Sequence, residues 1–505
     1  MSAPLAVLHA ATECFPLIKT GGLGDVVGAL PAAQRALGVD ARVFMPAYRG
    51  MADKLGNVRA LRDLRLRGHD FRLLRGETAQ AVPILLLDCP ALFDRPGAPY
   101  SDADGQPFAD ELIRFGLFSE AAARLAAGEF GLPSFDVLHL HDWHSALAAG
   151  WRRSIGQGAV VFTIHNLAYQ GDFPRAHFAP LQLPDAWWNP EGIEVYGRGS
   201  CIKAGLNFSD AITTVSPTYA SEIQTPEQGH GLDGLLRAKA AKLHGILNGV
   251  DTEAWNPATD TALVQPYDLE GVARGKRANR RALKMELGLP VDERPLAIFI
   301  GRLVQQKGVD ALLAARAAID TMPLQLAILA GGDRPLEAAL AAWAAARPDQ
   351  VAVRLRQDEA LAHRMTAAAD LQLMPSRFEP CGLSQMYAQR YGTLPVVHRT
   401  GGLQDTVVDA TPAAIADGTA TGVWFEDVDA GGVSYGLRRG LELLADAAVH
   451  ARLRRAGMRR DFSWAPPARE YLRLYAELAG TKLVPERTPP TRVDTWLGAQ
   501  TSRRA

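Results

Sequence analysis

Pro375-Ser376-Arg377-Phe378-Glu379-Pro380-Cys381-Gly382-Leu383-Ser384 joins a short apolar run, Leu371 to Met374, to Ser384-Gln385-Met386-Tyr387-Ala388. The run reads as a buried strand and the following segment as the start of a helix. A carboxylate, Glu379, therefore sits on a strand-to-helix turn. In an open parallel sheet, ligands bind at the carboxyl ends of the strands. Pro380 and Gly382 fix the turn and let a ligand approach the backbone. The amides that open the next helix suit an anionic or hydroxyl-rich ligand. On the turn alone, Glu379 is equally well read as a helix-capping carboxylate.

Working outward, the same alternation of strand and helix fills both halves of the chain. Strand-like runs at Leu5–Ala10, Ala41–Met45, Val82–Leu87, Phe135–Leu140, Ala159–Ile164, Ala211–Val215 and Lys242–Leu247 lie in the first half. Helical stretches, notably Phe108–Ala127 and His144–Arg153, separate several of them. A second series, Leu296–Ile300, Leu324–Leu329, Val351–Leu355, Leu371–Met374 and Leu394–Val397, follows a Pro-, Asp- and Thr-rich segment from Ala254 to Gly275. The pattern predicts an α/β protein with two doubly wound parallel sheets facing across a deep cleft. At 505 residues the chain is too long for one ordinary core. Phe173–Ser200 reads as a long irregular excursion, and Ala468–Leu478 as a closing amphipathic helix with Ser463 as its N-cap. After Thr481 the composition predicts a loosely ordered tail.

Composition narrows the classes. Hydrophobic residues make up 48% and charged residues 22%, the profile of a soluble globular protein. A net charge of −1 offers no general attraction to nucleic acid or acidic membranes, so any anion site is local. Cys14, Cys89, Cys201 and Cys381 have no paired spacing, which fits a reducing cytoplasm and neither a disulfide framework nor a zinc site. The N-terminus shows neither a signal peptide nor a membrane span.

The polar residues at strand exits carry the chemistry. Lys19-Thr20-Gly21-Gly22-Leu23-Gly24-Asp25 is a glycine loop entering a helix, with Lys19 as a point cation or simply a surface lysine. His139-Leu140-His141-Asp142-Trp143-His144 and His165-Asn166-Leu167-Ala168-Tyr169-Gln170-Gly171 leave two further strands. Three histidines and an aspartate within six residues resemble a metal site, but no cysteine or further cluster completes a shell, and no metal is expected. Trp143 suits stacking on a sugar face, and Asp142, His165 and Asn166 suit hydroxyls. Gly301-Arg302-Leu303-Val304-Gln305-Gln306-Lys307-Gly308 places two cations in one loop, and Thr400-Gly401-Gly402-Leu403-Gln404-Asp405 opens another helix. Arg302, Lys307 and the Gly401-Gly402 amides together could hold a diphosphate.

In order along the chain, these motifs, together with Asn248-Gly249-Val250-Asp251, resemble the bacterial glycogen synthases over residues 5 to 480. The resemblance implies a GT-B glycosyltransferase with an N-terminal Rossmann-like acceptor domain (1–253) and a C-terminal nucleotide-sugar domain (254–462). It implies that helix 463–480 returns to pack on the first domain, ahead of the tail 481–505. It implies retaining transfer of glucose from ADP-glucose to the non-reducing end of an α-1,4-glucan. By the family's pattern, Arg302 and Lys307 hold the distal phosphates, and Gly21, Gly22 and Gly402 offer amides. Glu379 holds glucose hydroxyls with Cys381, Gly382 and Leu403 close by, and His165 lies near the reacting carbon. Lys19 and Asp25 lie at the rim, and Asp142 and Asn248 support the sugar. No cofactor, nucleic acid or membrane partner is implied.

The chemistry suits these residue types. Breaking the bond to ADP leaves negative charge on the diphosphate, which fixed cations stabilise more in the transition state than in the ground state. Two departures bear on the donor. Many relatives have Gly-Tyr where this chain has Arg356-Gln357, so ADP-glucose and UDP-glucose stay in competition. Other retaining GT-B enzymes carry a second glutamate eight positions after the first, where this chain has Tyr387. The remaining alternatives are a transferase with a different acceptor and an inactive glucan-binding protein.

Overall fold

The computed structural model of the protein describes residues 4–156 and 158–481. They divide into two compact units: the first holds residues 4–156, 158–215, 220–249 and 464–481, the second 216–219 and 250–463. The sequence places the division after residue 253; in the structure residues 250–253 and 216–219 belong to the second unit. The tail expected over 481–505 lies, apart from Thr481, outside the described residues.

The first unit is built on a nine-stranded sheet. Its strands are β1 (Ala6–Ala10), β2 (Asp40–Pro46), β3 (Gly56–Leu66), β4 (His69–Glu77), β5 (Pro83–Asp88), β6 (Val137–His141) and β7 (Ala159–Ile164), followed by β11 (Ala211–Thr214) and β12 (Leu243–Gly245). The spatial order is β12-β11-β7-β6-β1-β2-β5-β4-β3. β6 and β7 are buried along their whole length, as expected for parallel strands covered on both faces. β3 and β4 form an antiparallel edge hairpin that periodicity did not reveal, because β3 is mostly exposed and rich in arginine. Such charges keep an edge strand from pairing with another chain. The excursion expected to be irregular holds a small antiparallel sheet of β8 (Asp172–Pro174), β9 (Glu194–Val195) and β10 (Arg198–Ser200), over an apolar cluster that includes Phe173 and Trp187.

The last helix, Ala465–Leu478, belongs to this first unit. Ala468, Tyr471, Leu474 and Tyr475 pack with Val7, Val26, Leu30, Val137 and Val161. Each large side chain so buried contributes on the order of 2 kcal/mol. Ser463 is not its N-cap: Trp464 holds that position and makes no side-chain cap bond. Pro466 and Pro467 fall in the first turn, where a missing N–H costs the helix nothing.

The second unit has a six-stranded parallel sheet of β13 (Leu296–Leu303), β14 (Gln325–Gly332), β15 (Val351–Leu355), β16 (Leu371–Met374), β17 (Leu394–His398) and β18 (Val423–Phe425). Its order is β15-β14-β13-β16-β17-β18. In both sheets the winding reverses beside the first strand, between β1 and β6 and between β13 and β16. Connections leave such a switch point in opposite directions and open a crevice at the carboxyl ends. Apart from Asn248, which follows the edge strand β12, the residues singled out in the sequence leave these strands and their immediate neighbours.

Candidate functional site

In the second unit, the exits of β13 and β16 are fastened together. Arg377 donates its backbone N–H to the Gln306 carbonyl at 2.8 Å, and Gln306 Nε2 donates to the Phe378 carbonyl at 3.1 Å. Gly308 permits the approach: it has φ +64°, and a Cβ there would stand 1.9 Å from the Pro375 carbonyl oxygen. Across this junction Lys307 Nζ meets Glu379 Oε2 at 2.6 Å, and Ser376 Oγ donates to the same oxygen at 2.8 Å. Glu379 is thus a held acceptor rather than a helix cap. The cap position of helix Ser384–Arg390 is Leu383, which makes no side-chain cap bond. Ser376, which the sequence reading passed over, orients the carboxylate from three residues away. Arg302 is exposed, and its guanidinium has no hydrogen bond or ion pair among the described residues.

Backbone amides assigned to the ligand are already engaged. Gly402 N donates to the Glu379 carbonyl at 3.0 Å, and Leu403 N to the Thr400 carbonyl at 3.0 Å. A Cβ at Gly402 would lie 2.1 Å from the Cys381 carbonyl oxygen, so this glycine serves close packing of two loops. Gly401 is buried at φ +43° in the same turn. Cys381 is buried, and Gly382 takes φ +70° beside the Gln385 side chain. The expected diphosphate cradle of Gly401-Gly402 amides is therefore corrected at Gly402: its N–H holds the protein's own turn, and the cations remain.

Two aromatic features lie in the same unit. Tyr387 stacks on Trp255 with ring centroids 3.8 Å apart and planes 5° from parallel, and His363 stacks on Trp255 at 3.7 Å. Tyr387 thus occupies the place of a second glutamate with packing. Arg356, in the departure segment, pairs with Asp358 at 2.7 Å.

The first unit presents a different kind of site. The glycine loop after β1 is organised by Glu13, a buried carboxylate that sequence reasoning missed. Glu13 accepts from Thr20 N at 2.6 Å, Gly21 N at 3.1 Å and Tyr100 Oη at 2.8 Å. The Gly21 amide is therefore not free for a phosphate, a second correction. A Cβ at Gly21 or Gly22 would meet nothing within 4 Å, so the loop is open above its backbone. Lys19 pairs with Asp25 at 2.7 Å and lies over the Phe15 ring at 5.4 Å.

Asp142 follows β6 with φ +56°, and its Oδ1 accepts the amides of His165 at 2.7 Å and Asn166 at 3.4 Å. One side chain so fixes the exit of β7. Burial pushes the Asp142 carboxyl up to about 7, against the pull of these two amides. The Asn166 side chain accepts from Ala168 N at 3.1 Å. Asn248 is buried, and its Oδ1 has no hydrogen-bond partner among the described residues. Trp143 is placed less favourably for a sugar than expected: one face of the indole stacks on His144 at 4.1 Å, and Phe115 meets it edge-on.

His165 Nε2 lies 2.9 Å from His141 Nδ1, and His141 Nε2 lies 3.0 Å from His9 Nδ1. Burial lowers His165 to about 3 and His9 to about 4, and holds His139 and His141 well below the ordinary imidazole value. These four rings are neutral near pH 7. Ligand atoms of His9, His139 and His141 fall within 4.8 Å of one another. Yet each of these rings is engaged in hydrogen bonds with protein neighbours, so the group is a bonded core cluster rather than an open ligand set.

Comparison with known proteins follows the same division. The starch synthase catalytic domain family matches residues 6–238, and the glycosyl transferases group 1 family matches residues 282–452. Glycogen synthase 1 of Methylococcus capsulatus is 46% identical over 481 residues, 94% of this chain and 97% of that protein. Glycogen synthase of Dechloromonas aromatica is 44% identical over 483 residues, 95% of this chain and 99% of that protein. Among solved structures, the catalytic domain of starch synthase IV from Arabidopsis thaliana, bound to ADP and acarbose, has a TM-score of 0.86 at 34% identity, covering 94% of this chain and 100% of that one. Sucrose-phosphate synthase from Thermosynechococcus elongatus, at 17% identity and TM-score 0.60, shares the fold. With near-complete coverage of its relatives and two switch points furnished with polar groups, the chain belongs to the glycogen synthase family of glycosyltransferases.

Proposed function

We propose that this chain transfers glucose from ADP-glucose to the non-reducing end of an α-1,4-glucan with retention of configuration, releasing ADP. Membership of the family makes it a hexosyltransferase with a nucleotide-sugar donor and a glucan acceptor. The observation that carries the residue assignment is the Lys307–Glu379 pair at the β13/β16 switch point, with Arg302 exposed on the same β13 exit. In this reading Arg302 and Lys307 take the charge that grows on the departing diphosphate. Glu379, held by Ser376 and Lys307, accepts from glucose hydroxyls. His165 and Asn248 contact the sugar, Asp142 holds the His165 loop in place, and Lys19 and Asp25 stand at the rim.

Attack by the acceptor on the same face as the leaving diphosphate, which takes the acceptor's proton, fits a site whose cations serve the leaving group. A covalent glycosyl adduct isolated on Glu379 would refute that route. Among the described residues, no helix is long and apolar enough to cross a membrane. All four cysteines are buried thiols outside any disulfide, which supports a cytoplasmic location.

The test is transfer of labelled glucose to glycogen, run in parallel with ADP-glucose and UDP-glucose. Incorporation from ADP-glucose, lost in Lys307→Ala, is the expected result. Preference for UDP-glucose would overturn the donor assignment, and glucan binding without turnover would overturn the activity.

A further inference from the structure

The buried histidines of the first unit form part of a longer chain of contacts that runs from the β7 exit to the last helix. Beyond His165, His141 and His9, His9 Nε2 meets Gln34 Oε1 at 2.7 Å. Gln34 Nε2 meets Tyr475 Oη at 3.1 Å, and Tyr475 Oη meets His139 Nδ1 at 2.6 Å. His139 Nε2 meets Thr163 Oγ1 at 2.5 Å. Gln34 stands in the last turns of the helix Gly22–Ala36, which begins at the glycine loop. Tyr475 stands on Ala465–Leu478. Gln34, Tyr475, His9, His139 and His141 are buried.

In such a chain each neutral imidazole donates with one nitrogen and accepts with the other, so one end dictates the protonation of every ring. Two directions satisfy the distances. The Tyr475 hydroxyl selects between them, since it has one proton and two neighbours. A phenol donates more strongly to an imidazole nitrogen than to an amide oxygen, so it donates to His139 Nδ1 and accepts from Gln34 Nε2–H. Gln34 then turns its Oε1 to His9, which must donate from Nε2. His9 Nδ1 accepts from His141 Nε2–H, and His141 Nδ1 accepts from His165 Nε2–H. At the end of the series, His165 Nδ1 has no hydrogen-bond partner among the described residues, and the ring is only partly buried.

We propose that this relay fixes His165 as the Nε2–H tautomer, so that its Nδ1 presents a bare lone pair to a hydroxyl of the donor glucose. Gln34 and Tyr475 are then positioning residues that act on the sugar through three rings. No proton travels along the chain; it stores a direction. The lowered pKa values keep the rings neutral, which the one-way pattern requires. The catalytic consequence rests on the placement of His165 at the sugar; the tautomer does not.

The two are tested separately on the full-length chain. Long-range nitrogen–proton NMR of the histidine-labelled wild-type protein reads the tautomers directly. The expected result is His9, His141 and His165 each protonated on Nε2. His165 protonated on Nδ1 would overturn the relay, whether or not any variant folds. In steady-state assays, Tyr475→Phe and Gln34→Met should lower kcat on the order of tenfold, about the worth of one hydrogen bond, with the KM for ADP-glucose little changed. Gln34→Glu, which can only accept from His9, should retain most of the activity that Gln34→Met loses. Folded Gln34→Met and Tyr475→Phe enzymes with wild-type kcat would overturn the positioning role. Full turnover in His165→Ala would instead overturn the site assignment, and with it the relay's effect on catalysis.

Discussion

The two switch points use opposite electrostatics. At β13/β16, an ammonium, a carboxylate and an exposed guanidinium are gathered at strand exits. At β1/β6 and the neighbouring β7 exit, the buried imidazoles of His9, His139 and His141 and the half-buried one of His165 stay neutral, and the carboxyl of Asp142 is pushed up to about 7. A departing diphosphate needs fixed charge, whereas a sugar needs directional hydrogen bonds. In the proposed reading, one chain meets both demands with one architecture, through the side chains that leave its strands.

The sharpest way to break this contrast is to remove charge from the second unit. Lys307→Ala should cost on the order of 3 kcal/mol of transition-state stabilisation, roughly a hundredfold or more in kcat. It also strands a nearly buried Glu379, so the melting temperature should fall with the activity. Equal activity at saturating donor would show that the cation does not serve the leaving group.

Arg302→Ala should lower kcat by roughly tenfold to a hundredfold while leaving the melting temperature where it was, because the exposed guanidinium holds nothing else in place. A large loss of stability would mean that Arg302 is structural. The pair of variants therefore separates a charge that is also a strut from one that is not.

Gly308→Ala tests the junction under the charges. Its Cβ would stand 1.9 Å from a backbone oxygen at φ +64°, so a loss of roughly 1–3 kcal/mol is expected in urea unfolding, with lowered activity. An unchanged midpoint would show that the two strand exits move apart freely.

The smallest effect sharpens the other side. His9, His144 and His165 have folded values near 4, 3 and 3, below the ordinary 6.5. Between pH 6.5 and about 4 the unfolded chain therefore binds more protons than the folded one, and stability falls as pH falls. Asp142 has the reverse sign. Its folded carboxyl keeps a proton from about pH 4 to about 7 that the unfolded chain has lost, so this group alone favours the fold at lower pH. Asp142→Asn should remove the opposing contribution and steepen the acid loss seen in melting curves between about pH 7 and 4. An identical slope would place the Asp142 carboxyl back in the ordinary range.

Much of this was legible because burial dictates local pattern. Ala159–Ile164 and Leu371–Met374 are short, apolar and bounded by polar turns, and both are strands. The residues beyond their ends, His165 and Glu379, could be singled out for the same reason. The hairpin β3–β4 was hidden because an exposed edge strand carries no apolar alternation strong enough to read. Glu13 and Ser376 gave no signal, since a carboxylate and a hydroxyl that serve loops look like any others until the loops close around them.

The sequence by itself determined two doubly wound sheets, the glycine turns and the set of polar strand exits, because strand burial and turn chemistry are properties of neighbouring residues. Only the tertiary structure decided which groups are engaged. It showed the Gly21 and Gly402 amides bonded to Glu13 and the Glu379 carbonyl, Lys307 set on Glu379, and Tyr475 joined to His139 across 336 positions of chain. A hydrogen bond is made by distance and direction in space, and residues so far apart along the chain leave no periodicity by which to foresee it.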